Sequence, residues 1–487
     1  MMERFFKLKA NNTKVMTEVL AGLTTFFTMA YIIMVNPEIL SATGMKWEGV
    51  FVATIIATVI GTLIMGLYAN VPYAQAPGMG LNAFFTYTVC KGMNFTWQEA
   101  LTMVFICGLV NMIVTVSKVR KNIVRSIPQS LQYGIGGAIG MFIAYIGIKN
   151  AGFLEFTTDP GHWSSTLNYL DGDTFSRAEV ASQTVFSDSS IIPALIKFSG
   201  DHKMEILALA GLVIMVVLLV KKVKGAIFIS IIATTIIGLI FGLVSWPEKI
   251  FDLKSVSAVK ETSFVMFSKD GFPTLFNSPE KIVLSLVAIF AFSLTDIFDT
   301  IGTFIGTGRV SGIFDEDDEK QIEGGKGKST KMDRALFSDM IATSFGAMLG
   351  TSNVTTYVES AAGISVGGRT GLTSVVVAAM FLLCLPFAPL FGMVPSAATA
   401  PALIVVGVMM MGSFAKINWP DFEEACPVFF TVVFMSFSYS ISYGIAAGFI
   451  FYCIIKLLKG KIKEVHPIFV GSAILFLVNF VVLALKA

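Results

Sequence analysis

The sequence predicts an all-α polytopic membrane protein with 14 membrane segments, arranged as two inverted halves of seven. Three observations carry this expectation. The 487 residues are 54% hydrophobic and only 14% charged, with a mean hydropathy of +0.75, too apolar for a water-soluble globule. Apolar runs of spanning length recur along the chain. Two shorter stretches, each following an extended segment, fall third in the two halves, and an odd number of segments per half forces the halves into opposite orientation.

The spanning runs lie at 16–35, 50–68, 98–117, 129–148, 204–220, 225–244, 281–305, 335–350, 371–390, 397–411, 423–439, 441–459 and 466–485, with half-helices expected at 78–90 and 358–366. The last run reads either as an extra crossing or as a helix in the membrane plane. The first follows a basic start with Arg4, Lys7, Lys9 and Lys14 and is long enough to span, so it reads as a span and not a cleaved leader. Basic loops set orientation. Lys118, Arg120, Lys121 and Arg125 mark one cytoplasmic loop, Lys221, Lys222 and Lys224 a second, and Arg309–Arg334 a third. With the half-helix at 78–90 counted as a crossing, all three agree with a cytoplasmic N-terminus in a plasma-membrane protein. Residues 149–203, with seven acids against four bases, suit the outside. Lys456, Lys459, Lys461 and Lys463 put the end of the 441–459 run inside.

Composition excludes several functions. A net charge of +2 implies no nucleic-acid partner. The five cysteines stand singly in apolar segments with no metal-ligand spacing. EGGKGKST at 323–330 ends like a phosphate-binding loop, but Ile322 occupies the position that needs glycine, so no ATP is implied. Gly134, Gly136, Gly137 and Gly140 lie inside an apolar span, where close helix packing explains them.

The stretch that carries chemistry is AIFAFSLTDIFDTIGTFIG, residues 288–306. It places Asp296 and Asp299 on one face of a spanning helix, and each acid costs roughly 2.5–3.5 kcal/mol at a bilayer centre. That cost points to a substrate or proton site, against the plainer readings of a structural ion pair or a helix end near the interface. Ahead of the first half-helix, VPYAQAPGMGLNAFF at 71–85 uses Pro72 and Pro77 to keep the chain extended. Gly78 and Gly80 allow a backbone or a ligand to approach, and the amide of Asn82 can donate and accept at once, which suits a heterocycle edge or a cap on freed backbone groups. In GTSNVTTYVESAAG at 350–363, Val354–Thr356 favours a short strand. Glu359 then falls in the first turn of the second half-helix, at the positive end of its dipole, as a third buried acid or as a plain helix-end charge near the interface. Ser360 reads as a hydroxyl contact or as a small packing residue. The histidines at 162, 202 and 466 lie outside the confident spans, so any proton crossing the middle must ride on Asp296, Asp299 or Glu359.

Taken together, GLTTFFTMAYIIMVNP (22–37), APGMGLNAFF, SLTDIFDTIGT, TSNVTTYVESAAGI and GRTGLTSVVVA (368–378) resemble the AzgA-like purine permeases of the nucleobase-ascorbate transporter superfamily. The resemblance runs over nearly the whole chain. It implies a core domain from residues 1–120 (segments 1–4) and 251–395 (segments 8–11, cytoplasmic loop 306–334). It implies a gate domain from 121–250 (segments 5–7) and 396–487 (segments 12–14), with a homodimer possible through the gate. It implies a purine base held by Asn82, Gly80, Asp299, Glu359 and Ser360, with proton coupling through Asp296, Asp299 and Glu359 and no cofactor beyond the proton gradient. Asp299 matches the acid that holds the base in the broader superfamily, and Thr303 stands where related uracil permeases carry histidine. Guanine and hypoxanthine are the favoured substrates and adenine the alternative. Two other classes, an intramembrane aspartyl or metal enzyme and an anion exchanger or channel, fit less well: no histidine completes a metal site, and three acids with no base repel anions.

Overall fold

The structure is a computed structural model that describes residues 2–116, 127–158, 163–165, 184–186, 191–196, 202–252, 254–304, 307, 312–314 and 330–484. The basic loop at Lys118–Arg125, most of the 149–203 loop and most of Arg309–Arg334 lie outside these residues. Among the described residues, nine stretches are long and apolar enough to cross a membrane unaided, from Val15–Ser41 to Ile441–Leu458. The chain is thus a multi-pass helical membrane protein.

The helices follow the apolar runs with shifted ends. Runs at 204–220 and 281–305 become Lys203–Val220 and Pro279–Thr303. The latter starts on Ser278, whose hydroxyl accepts the amide hydrogen of Lys281. The first run breaks into Val15–Met29 and Ile32–Ser41, with Ala30 and Tyr31 at the joint. The run at 466–485 is a helix, Pro467–Ala484, packed against Ile441–Leu458 and Pro279–Thr303.

Two interruptions organise the interior. Strand Gln75–Pro77 leads through Gly78 into helix Met79–Ala83, which continues as wide π-type turns over Phe84–Gly92. Strand Val354–Thr356 leads to helix Ser360–Val366. The strands pair antiparallel with Gln75 opposite Thr356, Ala76 opposite Thr355 and Pro77 opposite Val354. Two more bonds extend the ladder: Gly78 N–H donates to Asn353 C=O at 2.9 Å, and Tyr357 N–H to Ala74 C=O at 3.0 Å. An open ladder can exist at membrane depth only because protein surrounds it. All six ladder residues are buried.

The 149–203 segment departs from a plain loop. Leu154–Thr158 pairs with Ile191–Leu195, and Trp163–Ser165 with Thr184–Phe186. Both pairs are rich in β-branched and aromatic residues, which suit a pleated surface.

Packing separates two groups of helices. Trp47–Ile64 and Lys331–Leu349 pack against the ladder; Trp97–Val116 packs on Lys331–Leu349, Ile32–Ser41 and Gly371–Cys384 on Trp47–Ile64, Val15–Met29 on Gly371–Cys384, and Phe84–Gly92 on Trp97–Val116. Gln129–Asn150 packs along Ser396–Met410 and Phe422–Phe437. In that second group, a Cβ on Gly140 would meet the carbonyl of Gly407 at 2.6 Å, and one on Gly407 would meet that of Gly140 at 2.4 Å. Backbones this close explain the glycine cluster as a packing seam.

Candidate functional site

The ladder residues alternate sides, as in any strand, and each side carries acids. Thr355 donates its hydroxyl to Asp299 Oδ2 at 3.3 Å. The next residue, Thr356, donates to Asp339 Oδ1 at 2.7 Å. Asp339 also accepts from Gln75 Nε2 at 3.0 Å and, on Oδ2, from Thr300 at 2.8 Å. One acid thus gathers both strands and the Pro279–Thr303 helix. Asp339 is not among the acids that the sequence analysis singles out, although it too is an acid in the middle of an apolar run, 335–350.

Asp296 and Asp299 share a helix but not an environment. Asp299 is half-buried. Asp296 is fully buried, its Oδ2 accepting from Asn111 Nδ2 at 3.2 Å and from Thr343 Oγ1 at 3.4 Å. Its Oδ1 has no partner among the described residues. Thr343 also bonds the carbonyl of Val354 at 2.9 Å, so Asp296 touches the second strand through one intermediary.

Glu359 is half-buried and sits at the N-cap of Ser360–Val366, yet its side chain makes no capping bond. Instead Tyr31, at the joint in the first span, donates to Glu359 Oε1 at 2.5 Å. Glu359 and Asp299 lie close enough to interact electrostatically. Ser360 Oγ accepts the amide hydrogen of Ala74 at 3.0 Å, fixing the entry to the first strand. Tyr357 makes the reciprocal tie, its phenol donating to Pro77 C=O at 2.6 Å.

Asn82 is buried and accepts the hydroxyl of Ser352 on Oδ1. Its Nδ2 has no partner among the described residues. An orphaned buried amide donor is costly unless something fills it. Gly80 has a plainer neighbour: a Cβ there would lie 2.6 Å from Ile139 Cγ2, so its bareness admits the Gln129–Asn150 helix against the half-helix.

A further buried acid has a structural task. Glu18 accepts the amide hydrogens of Arg369, Thr370 and Thr373 at 2.9, 3.2 and 3.2 Å, and the Thr373 hydroxyl at 2.7 Å. It caps helix Gly371–Cys384 from across the bundle, with its charge at the favourable dipole end. All its capacity is spent on that helix, whereas Asp299, Glu359 and Asn82 keep capacity free.

The sequence profile of Xan_ur_permease, described as "Permease family", matches residues 16–180 and 182–447. The chain belongs to that permease family. This permease is 38% identical to "Adenine permease AdeP" of Escherichia coli (strain K12), over 99% of this chain and 96% of the relative. It is 37% identical to "Guanine/hypoxanthine permease PbuO" of Bacillus subtilis (strain 168), over 98% and 100%. Among solved structures it resembles the transmembrane domain of the cyanobacterial bicarbonate transporter BicA, with a TM-score of 0.58 and 14% identity over 88% of this chain and 97% of that one. At that identity the likeness speaks for the fold alone. A permease family places the chain among transporters, not enzymes.

Proposed function

We propose that this permease takes up purine nucleobases across the plasma membrane by proton-coupled alternating access. The observation that carries the reading is the set of open hydrogen-bonding groups on and beside the paired strands and the two half-helices that follow them. Asp299 and Glu359 are half-buried acceptors from two different membrane helices, and Asn82 offers a spare amide donor. A purine presents the complement, with ring N–H donors for the carboxylates and a carbonyl or ring nitrogen for the amide. Ser360 and Gly80 complete the wall, one by pinning the first strand and the other by admitting the neighbouring helix.

Asp296 is the proposed proton carrier. Among the described residues its Oδ1 accepts no hydrogen bond, while donors engage both oxygens of Asp339. The frame for movement is a core (1–120 and 251–395) and a gate (121–250 and 396–487), 14 segments in two inverted halves, with the N-terminus cytoplasmic. The two helix groups described above support that division. The relatives named for adenine and for guanine/hypoxanthine are nearly equal in identity, so they do not rank those bases.

The test is equilibrium binding of tritiated adenine, guanine and hypoxanthine to the purified permease, with each base competed by the other two. Glu359→Gln is expected to lose affinity at least tenfold for every base that the parent binds. A variant that keeps full affinity removes Glu359 from the site.

A further inference from the structure

A cavity of about 330 Å³ opens at the ends of the helices that the proposed topology puts outside. That is the lower end of the range for small-ligand pockets, about 300–1,000 Å³. It lies where the two helix groups meet. Glu38 and Ala42 come from the end of Ile32–Ser41, Tyr87 and Lys91 from Phe84–Gly92, Lys149 and Asn150 from the end of Gln129–Asn150, and Ser396 from the start of Ser396–Met410. Two hydrogen bonds join the groups around it: Ser396 donates to Glu38 Oε1 at 2.5 Å, and Asn150 Nδ2 to the Tyr87 phenol oxygen at 3.2 Å.

The lining carries acceptors and donors of opposite charge around an aromatic face. Lys91 Nζ stands 5.4 Å from the centre of the Tyr87 ring, and Lys149 Nζ 4.8 Å from that of Tyr439. The two rings meet edge to face at 5.6 Å. Lysines at outer helix ends run against the usual charge bias of membrane proteins, which gives the pair a reason other than topology. Beside Tyr439, Thr88 Oγ1 donates to the Tyr439 carbonyl at 3.2 Å, and the buried Tyr439 phenol oxygen has no partner among the described residues.

Resting on the proposed purine transport, we infer that this cavity is an outer vestibule site. It holds the same class of ligand, a planar heterocycle with ring N–H donors and carbonyl or ring-nitrogen acceptors, before it reaches the paired strands. Glu38 takes the ring N–H groups, Lys91 and Lys149 meet the acceptors, and Tyr87 offers its ring edge or face. The Glu38–Ser396 and Asn150–Tyr87 bonds close around the ligand and part when the two helix groups move.

The experiment places a reporter cysteine, Ala42→Cys, in the full-length protein in intact cells. Its labelling by a membrane-impermeant thiol reagent is followed with and without saturating adenine, guanine or hypoxanthine, against the parent with its native cysteines. The expected result is labelling at least fivefold slower with a transported base, persisting when Glu359→Gln is added and vanishing when Glu38→Gln and Lys149→Met are added. Protection that disappears with Glu359→Gln, or survives Glu38→Gln with Lys149→Met, overturns the vestibule site. Uptake by Ala42→Cys confirms that the reporter folds, and Thr399→Cys, on the same lining, repeats the reading if it does not. A parent that takes up none of the three bases overturns the purine reading itself, whereas uptake without protection overturns the vestibule alone.

Discussion

Tyr31 donates its phenol hydrogen to Oε1 of Glu359 at 2.5 Å, tying the joint in the first span to the start of the second half-helix. The tie orients a carboxylate that the helix end does not hold. A hydrogen bond to a charged group contributes about 1.5–3 kcal/mol. Tyr31→Phe is therefore expected to weaken base binding roughly tenfold or more, and to lower the melting temperature in detergent only modestly, since the ring still fills its place. Equal binding by the two proteins would show that Glu359 is oriented by something else.

Asp339 predicts a different pattern, because its loss strands three donors: the Gln75 amide and the hydroxyls of Thr300 and Thr356. Each buried donor left unpaired costs about 1–3 kcal/mol. Asp339→Leu should fold poorly or melt well below the parent. Asp339→Asn, which keeps an oxygen for Gln75 and Thr356, should lie between the two. Thermal unfolding of the three purified proteins checks that order, and a Leu variant as stable as the Asn variant contradicts it.

Gly80 gives a paired test. Gly80→Ala pushes a methyl to within 2.6 Å of Ile139 Cγ2, forcing the half-helix and the Gln129–Asn150 helix apart. Initial uptake of a transported base is expected to fall at least fivefold, and Ile139→Ala in the same chain should restore most of it. Loss without rescue would mean that the added methyl meets the ligand and not the helix.

Much of this arrangement was legible in the residues, and the limits have physical causes. Asp296, Asp299 and Glu359 announce themselves because an acid in an apolar run is expensive. The same rule applied to Asp339 and Glu18 would have found two more. It would not have told their tasks apart, because those depend on partners far along the chain: Gln75 for Asp339, and Arg369 to Thr373 for Glu18. Strand alternation puts Thr355 and Thr356 on opposite faces, but which acid each serves depends on Asp299 and Asp339, 56 and 17 residues away along the chain. Nor does a glycine state what approaches it; at Gly80 it is Ile139. The cavity at Glu38, Lys91 and Lys149 draws on four helix ends far apart in the chain, which no local motif connects.

The central claim is that a purine base and a proton cross together, the base on Asp299 and Glu359 and the proton on Asp296. Its most direct measurement is uptake of radiolabelled adenine, guanine and hypoxanthine into proteoliposomes with and without an inward acid gradient, for the parent and for Asp296→Asn. The account predicts that the gradient accelerates uptake of at least one base by the parent several-fold. It predicts that Asp296→Asn still binds that base but no longer responds to the gradient. Uptake by the parent that is indifferent to the gradient, or an Asp296→Asn protein that responds as the parent does, would contradict it.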